Sequence, residues 1–353
     1  MRIAQVAPLF ESVPPRLYGG TERVVSYLTE ALVAQGHEVT LFATADSVTR
    51  ARLVAGSPHG LRLDGRSLDH EEPHRALLDK VYRRRGAFDV IHFHTDCMHF
   101  PMLRGLGVPH LTTLHGRLDL PEAVATLREF PDVPLVSISD AQRTPAPWAC
   151  WLATVHHGLP HEAFRFHPGP GRYLAFLGRI APEKGCDRAI EIAARLGRTL
   201  RIAAKVDPMD EAYFNAEIRP LLAHPLVEFI GEIGEREKSD FLGQATALLF
   251  PIDWPEPFGL VMIEAIACGT PVVAFRRGSV PEIIEPGLTG CIVDDLDQAV
   301  HAIEDAVGLD RRRCRRRFEQ RFTAERMARD YLSVYERLVR RTAGPCPMEA
   351  SNG

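Results

Sequence analysis

Two carboxylates eight positions apart, Glu256 and Glu264, stand in the stretch Trp254-Pro255-Glu256-Pro257-Phe258-Gly259-Leu260-Val261-Met262-Ile263-Glu264. Pro255 and Pro257 hold a loop, and the spacing predicts an apolar helix from about Phe258. Cys268-Gly269-Thr270-Pro271 stops that helix before a β-branched strand. Glu256 is thus expected in the loop, and Glu264 about a turn and a half inside the helix. The amides of Phe258, Gly259 and Leu260 would point out of the helix end, where hydrogen bonding and the helix dipole both favour an anion. A phosphate held there has one acid on each side. Two glutamates near a helix start are commonly caps or solubilising groups. The loop prolines, the Phe-Gly pair and the acid inside an apolar helix set this stretch apart.

A second constellation is Arg179-x4-Lys184, on one loop where the strand pattern Arg172–Arg179 ends. A guanidinium that grips oxygens in pairs and an ammonium point charge suit a diphosphate, although alone the two are more simply a solvated pair. A third is His92-x-His94-x-Asp96-x-x-His99, after the strand pattern Phe88–His94. It resembles the H-x-H-x-D-H zinc site of metallo-β-lactamase-type hydrolases. Cys97 and Met98 break that spacing, and no second ligand motif follows. These residues are therefore expected to line a cleft at a strand's C-terminal end, where α/β proteins bind ligands.

The elements that must position these groups follow from periodicity. Arg2–Leu9 is a buried strand. It is followed by the loop Tyr18-Gly19-Gly20-Thr21-Glu22, a helix ending near Gly36, and a strand at Gly36–Phe42, a βαβ unit that implies a parallel sheet. Gly19-Gly20 lacks the G-x-G-x-x-G spacing and is either a turn or a close approach of backbone to phosphate. Residues 46–75 are polar and show no clear element. Further strands are expected at 109–116, 133–139 and 154–157, and residues 160–171, rich in Pro and Gly, form the linker between two domains. Beyond it strands and helices alternate to residue 322. Asp295-Leu296-Asp297 is a helix cap rather than a D-x-D metal motif. A last amphipathic helix, 323–340, carries Met327, Tyr331, Val334, Tyr335 and Leu338 on one stripe.

With these pieces in order, the chain resembles the retaining GT-B glycosyltransferases of family 4 (glycosyl transferases group 1), through Glu256-x7-Glu264 within PEPFGLVMIEAIACGTPVV and Arg179-x4-Lys184. The resemblance implies an α/β fold of two doubly wound, Rossmann-like domains facing a cleft. Its expected boundaries are an acceptor-side domain at 1–165, with helix 323–340 packing back onto it, a nucleotide-sugar donor domain at 166–322, and a disordered tail at 341–353. It implies catalytic roles for His115 and Glu256, both at the donor sugar. Gly19, Gly20, Arg179, Lys184, Phe258, Gly259 and Leu260 would bind the diphosphate, Ile233 would pack on the base, and Glu264 would bind the ribose. Without the resemblance, His115 is simply a polar group capping the strand 109–116. His157-Gly158 stands where the family often has Asn-Gly.

The implied reaction is metal-independent transfer of a sugar from a nucleotide-diphosphate sugar, with no further cofactor, to a glycan, lipid or small-molecule hydroxyl. Rivals are a phosphorylase or epimerase on the same fold, a non-catalytic sugar-nucleotide binding protein, and the His92/His94/Asp96 hydrolase.

Composition agrees with a globular protein of two cored domains: 353 residues, 45% hydrophobic, 25% charged and net charge −4, the last arguing against nucleic acid as a partner. No apolar run approaches the ~20 residues of a membrane-spanning helix. Met1-Arg2-Ile3 opens directly in a strand pattern, and seven cysteines without a C-x-x-C pair suit a reducing cytoplasm. The run Arg311–Arg317 is expected to be a solvated helix face, with weak contact to an anionic membrane as the minor reading.

Overall fold

The computed structural model describes residues 1–62, 70–103 and 105–343. Contacts divide it into two units, the first being residues 1–138, 145–155 and the chain from 324 on, the second 139–144 and 156–323.

In the first unit, strands β1 (Arg2–Val6), β2 (Glu38–Ala43), β3 (Arg52–Ala55), β4 (Val90–Phe93), β5 (His110–Thr113), β6 (Leu135–Ser137) and β7 (Trp151–Thr154) form one sheet in the order β3-β2-β1-β4-β5-β6-β7. All pairs are parallel, and β1 lies inside the sheet between β2 and β4, with Ile3, Ala4 and Val6 fully buried, as a strand covered on both faces requires. The connections include α1 (Gly20–Ala34), α2 (Glu71–Arg84), α3 (Phe100–Leu103) and α4 (Pro121–Glu129). Edge strand β3 lies in the polar stretch that showed no element. Only Val54 of its four residues is buried, so the strand leaves little hydrophobic signature. β7 ends at Thr154, where the expected strand 154–157 begins.

The second unit runs β8 (Tyr173–Ile180), α5 (Cys186–Leu196) and β9 (Leu200–Val206). A broken helical stretch follows: α6 (Glu211–Tyr213), a π-helical turn Phe214–Ile218 and α7 (Arg219–Leu221) containing Pro220. Then come β10 (Val227–Gly231), α8 (Glu235–Gly243), β11 (Ala245–Phe250), α9 (Leu260–Ala267), β12 (Val272–Phe275), α10 (Val280–Ile283), β13 (Gly290–Val293), α11 (Leu296–Val307) and α12 (Arg311–Arg321). The parallel order is β10-β9-β8-β11-β12-β13. Asp295 caps α11 by accepting from the Gln298 amide at 2.8 Å. The last helix, α13 (Ala324–Ala343), belongs to the first unit, lies against α1 and β4, and buries Met327, Tyr331, Val334 and Tyr335.

Two expectations need correction. The units divide after Val155, whereas the expected boundary at 165/166 and the linker 160–171 lie within the second unit. Leu159 bridges to Thr323, and the His167 amide bonds the Cys268 carbonyl at 3.0 Å, so Pro and Gly here mark an ordered segment of that unit. The arginine run is not a solvated face throughout. Arg311 and Arg315 are buried, while Arg312, Arg313 and Arg316 are exposed. Arg311 donates to the carbonyls of His167, Ala245 and Gly243 at 2.7–2.8 Å, and Arg315 to those of Phe164 and Ala267. From residue 344 on, the expected disordered tail lies outside the described residues.

In each sheet the strand order reverses direction once, between β1 and β4 and between β8 and β11. Crevices at the carboxyl ends of strands flanking such a reversal are where open α/β sheets bind ligands. Gly19 follows β1, His94 follows β4, Arg179 and Lys184 stand at the end of β8, and Glu256 follows β11.

Candidate active site

In the second unit, Lys184 Nζ donates to Glu256 Oε2 at 2.7 Å, and Trp254 Nε1 donates to the same oxygen at 2.9 Å. The ammonium also lies 4.5 Å from the Trp254 ring centroid, a cation–π contact that turns the loop's indole toward the pair. Backbone holds the two loops together, the Asp253 amide bonding the Glu183 carbonyl at 2.8 Å. Gly185, next to Lys184, has φ 69°, and a β-carbon there would come within 2.2 Å of the Pro251 carbonyl oxygen, so this approach admits only glycine.

Arg179 is not a free partner for diphosphate. Its Nη1 donates to Asp210 and its Nη2 to Glu183, each at 2.7 Å. Both motif cations therefore sit in ion pairs.

Helix α9 begins at Leu260, two residues later than Phe258, because Gly259 turns to φ 77° at its N-cap. The outward amides of its first turn are then Leu260 and Val261, since Met262 N–H already bonds the Gly259 carbonyl at 3.0 Å. Phe258 is buried against His157, with ring centroids 4.7 Å apart. Glu264 is inside the helix as expected, 2% exposed, and accepts from Lys238 Nζ at 2.9 Å. Ile233 is half-buried in the turn between β10 and α8.

In the first unit, Gly19 caps α1 at φ 156°, and a β-carbon there would fall 2.8 Å from Pro15 Cβ. Gly20 is the first residue of α1, and Arg23 Nη2 ties the loop by donating to the Leu17 carbonyl at 2.6 Å. Glu22 in that first turn is 4% exposed, and burial raises its pKa to about 7 against the opposing pull of backbone amides and Arg62.

His92, His94 and His99 correct the expectation of cleft-lining residues, for all three are buried in a polar network. His92 meets Tyr335 and Thr113, His94 meets Gln5 and His115, and His99 meets Thr95 and Thr112, all at 2.7–3.0 Å. Desolvation holds His92 and His99 well below the usual histidine pKa, so they are neutral hydrogen-bonding groups. Their ring nitrogens are engaged with protein, and among the described residues no cluster of His, Cys, Asp or Glu has the arrangement of a metal site. The hydrolase alternative loses its basis. His115, at the tip of β5, joins this network, and burial lowers its pKa to about 3.

The structure thus brings together Lys184 with Glu256, Glu264 with Lys238, and His115 with His94. Lys238, Gln5, Tyr331 and Tyr335 carried no sequence signal of this kind. Their partners lie 26 to 330 residues away, and only the fold makes the pairs.

Against known proteins, residues 18–201 match the family model described as Glycosyltransferase Family 4, and residues 161–321 that described as Glycosyl transferases group 1. The first covers more than half of the chain, and the chain belongs to that glycosyltransferase family. It is 29% identical to glycogen synthase of Mycobacterium tuberculosis, over 88% of each chain. It is 26% identical to that organism's GDP-mannose-dependent alpha-(1-6)-phosphatidylinositol dimannoside mannosyltransferase, over 95% of this chain and 96% of that one. The crystal structure of a glycosyltransferase involved in avilamycin A biosynthesis superposes with TM-score 0.71 at 26% identity, covering 96% of this chain and 98% of the other. The fold is GT-B, two Rossmann-like units each built on a parallel sheet, and the protein is a glycosyltransferase. Among the described residues no helix is long and apolar enough to cross a membrane.

Proposed function

We propose that this chain transfers a sugar from a nucleotide-diphosphate sugar to an acceptor hydroxyl with retention at the anomeric carbon, without a metal, in the cytoplasm. It is a glycosyltransferase that uses a nucleotide sugar. The finer reading is carried by the meeting of Lys184 and Glu256 at 2.7 Å, since two motifs 72 residues apart converge at the carboxyl ends of adjacent strands.

In this reading the diphosphate lies at the start of α9 beside Lys184. That cation and the first-turn amides stabilise the charge that develops as the anomeric bond breaks. Arg179 contributes by sharing its guanidinium between the phosphate and its two acids. Glu256 meets the donor sugar, Glu264 the ribose, Ile233 the base and His115 a sugar hydroxyl. Oε2 of Glu256 already accepts two hydrogen bonds, which suits a positioning acceptor better than the nucleophile that a covalent glycosyl-enzyme requires. Front-face displacement is therefore favoured. The two relatives are named for a glycogen and a phosphatidylinositol mannoside, so the acceptor is proposed as a glycan or lipid hydroxyl.

The test is a thermal-shift panel of UDP-, GDP- and ADP-sugars on the full chain, followed by analysis of the nucleoside diphosphate released and the anomer formed, with and without excess chelator. One donor series should raise the melting temperature, and Lys184→Ala should weaken that donor by about 2–5 kcal/mol, the cost of stripping a desolvated charge partner. An inverted product, or activity abolished by the chelator, contradicts the reading.

A further inference from the structure

The polar network under the first sheet's carboxyl end has a proton order that one side chain can set. Gln5, one residue before the carboxyl end of β1, is fully buried. Its Oε1 faces His94 Nε2 at 2.8 Å, and its Nε2 donates to Tyr335 Oη at 3.1 Å. An amide oxygen can only accept, so His94 carries its proton on Nε2. In a neutral imidazole the other nitrogen must then accept. The 2.9 Å contact between His94 Nδ1 and His115 Nε2 therefore places a proton on Nε2 of His115.

The second branch has a matching order. Tyr335 accepts from Gln5 and gives its own proton to His92 Nδ1 at 2.7 Å, leaving His92 Nε2–H to donate to Thr113 Oγ1 at 2.7 Å, with Tyr331 Oη 2.9 Å beyond. A half-turn of the Gln5 amide would reverse every proton in both branches, His115 included.

We propose that Gln5 is a positioning residue for the transfer reaction: through His94 it holds His115 in the tautomer protonated on Nε2, so that Nδ1 is a hydrogen-bond acceptor for a hydroxyl of the sugar. This rests on the assignment of His115 to the donor sugar. Burial supports it, because an imidazolium at His115 is disfavoured until about pH 3 and the ring stays neutral in working conditions. The network also explains why two tyrosines of α13 are directed into the sheet, since Tyr335 closes the hydrogen-bonding needs of both Gln5 and His92. A sugar bound here is required to donate its hydroxyl proton to the ring, and a substrate offering only an acceptor at that position is rejected.

The experiment is a long-range 15N–1H correlation spectrum of the full chain labelled in histidine, with the His115 signals assigned by their loss in His115→Asn. In the wild type His94 and His115 should both be protonated on Nε2. In Gln5→Met, which keeps the length of the side chain and removes both amide functions, His115 should show a mixture of tautomers and kcat should fall about tenfold. Protonation of wild-type His115 on Nδ1 overturns the proposal, as does a His115 signal unchanged in Gln5→Met. The wild-type spectrum decides even if Gln5→Met does not fold. Should the tautomer follow Gln5 while His115→Asn turns over normally, the proton order stands and the assignment of His115 to the sugar is what fails.

Discussion

Glu256 and Glu22 are both buried carboxyls, and their surroundings separate them. Glu256 meets an ammonium and an indole N–H, whereas Glu22 meets backbone amides, with Arg62 and the like charge of Glu11 acting at longer range. Burial dominates at Glu22 and lifts its pKa from the ordinary carboxylate value of 4.5 to about 7. The sign follows from linkage: the folded chain keeps this proton where the unfolded chain has lost it, so stability falls as pH rises from 4.5 to about 7 and is flat above. Glu22→Gln should therefore leave melting at pH 4 nearly unchanged and raise stability at pH 8 by up to about 3 kcal/mol. Denaturant midpoints of both proteins at the two pH values check this, and an equal shift at both would contradict it. At this scale the sequence carried Glu256, Glu264 and Lys184, because their spacing is local and unusual. Lys238 was not legible, lying among the ordinary charges of α8, and its pairing with Glu264 depends on how α8 and α9 pack.

Among the elements, helix α12 departs furthest from its sequence. A run of six arginines around Cys314 suggests water on every side, yet helical geometry turns Arg311, Cys314, Arg315 and Phe318 inward on one stripe. Arg311 there donates to three carbonyls, those of His167, Gly243 and Ala245, and to the Thr270 hydroxyl. Arg311→Met should destabilise the protein by about 3 kcal/mol or more, since each buried acceptor left unpaired costs about 1–3 kcal/mol. Arg312→Ala, on the exposed face, should stay within about 0.5 kcal/mol of the wild type. Equal melting of the two variants would show that the buried guanidinium has no capping role. Charge composition could not separate these arginines, although the i, i+3, i+4, i+7 spacing of Arg311, Cys314, Arg315 and Phe318 could have. Helix α9 was legible in its body and misplaced at its start, because apolar periodicity continues through Phe258 while the turn at Gly259 depends on backbone dihedrals.

For the whole molecule, the alternation of strands and helices carried two parallel sheets, and the observed strand orders add what alternation cannot: where each sheet reverses. Those reversals place the Gly19 loop with His94 in one unit and Lys184 with Glu256 in the other. The boundary between the units escaped the sequence because segment 160–171 has linker composition but is held by backbone bonds to the second unit.

The proposed function requires the second unit to hold a nucleotide sugar between two acids of different duty. An interaction equal in ground and transition states affects binding, and one gained as the bond breaks affects kcat. The most direct measurement is calorimetric titration of the free nucleoside diphosphate into Glu256→Gln and Glu264→Gln, with donor turnover and a melting curve for each. Glu264→Gln should bind the nucleotide at least about tenfold more weakly and show a raised donor KM at near-normal kcat. Glu256→Gln should bind it like the wild type and lose kcat. A folded Glu256→Gln that turns over normally, or a folded Glu264→Gln with unchanged nucleotide affinity, would contradict the account.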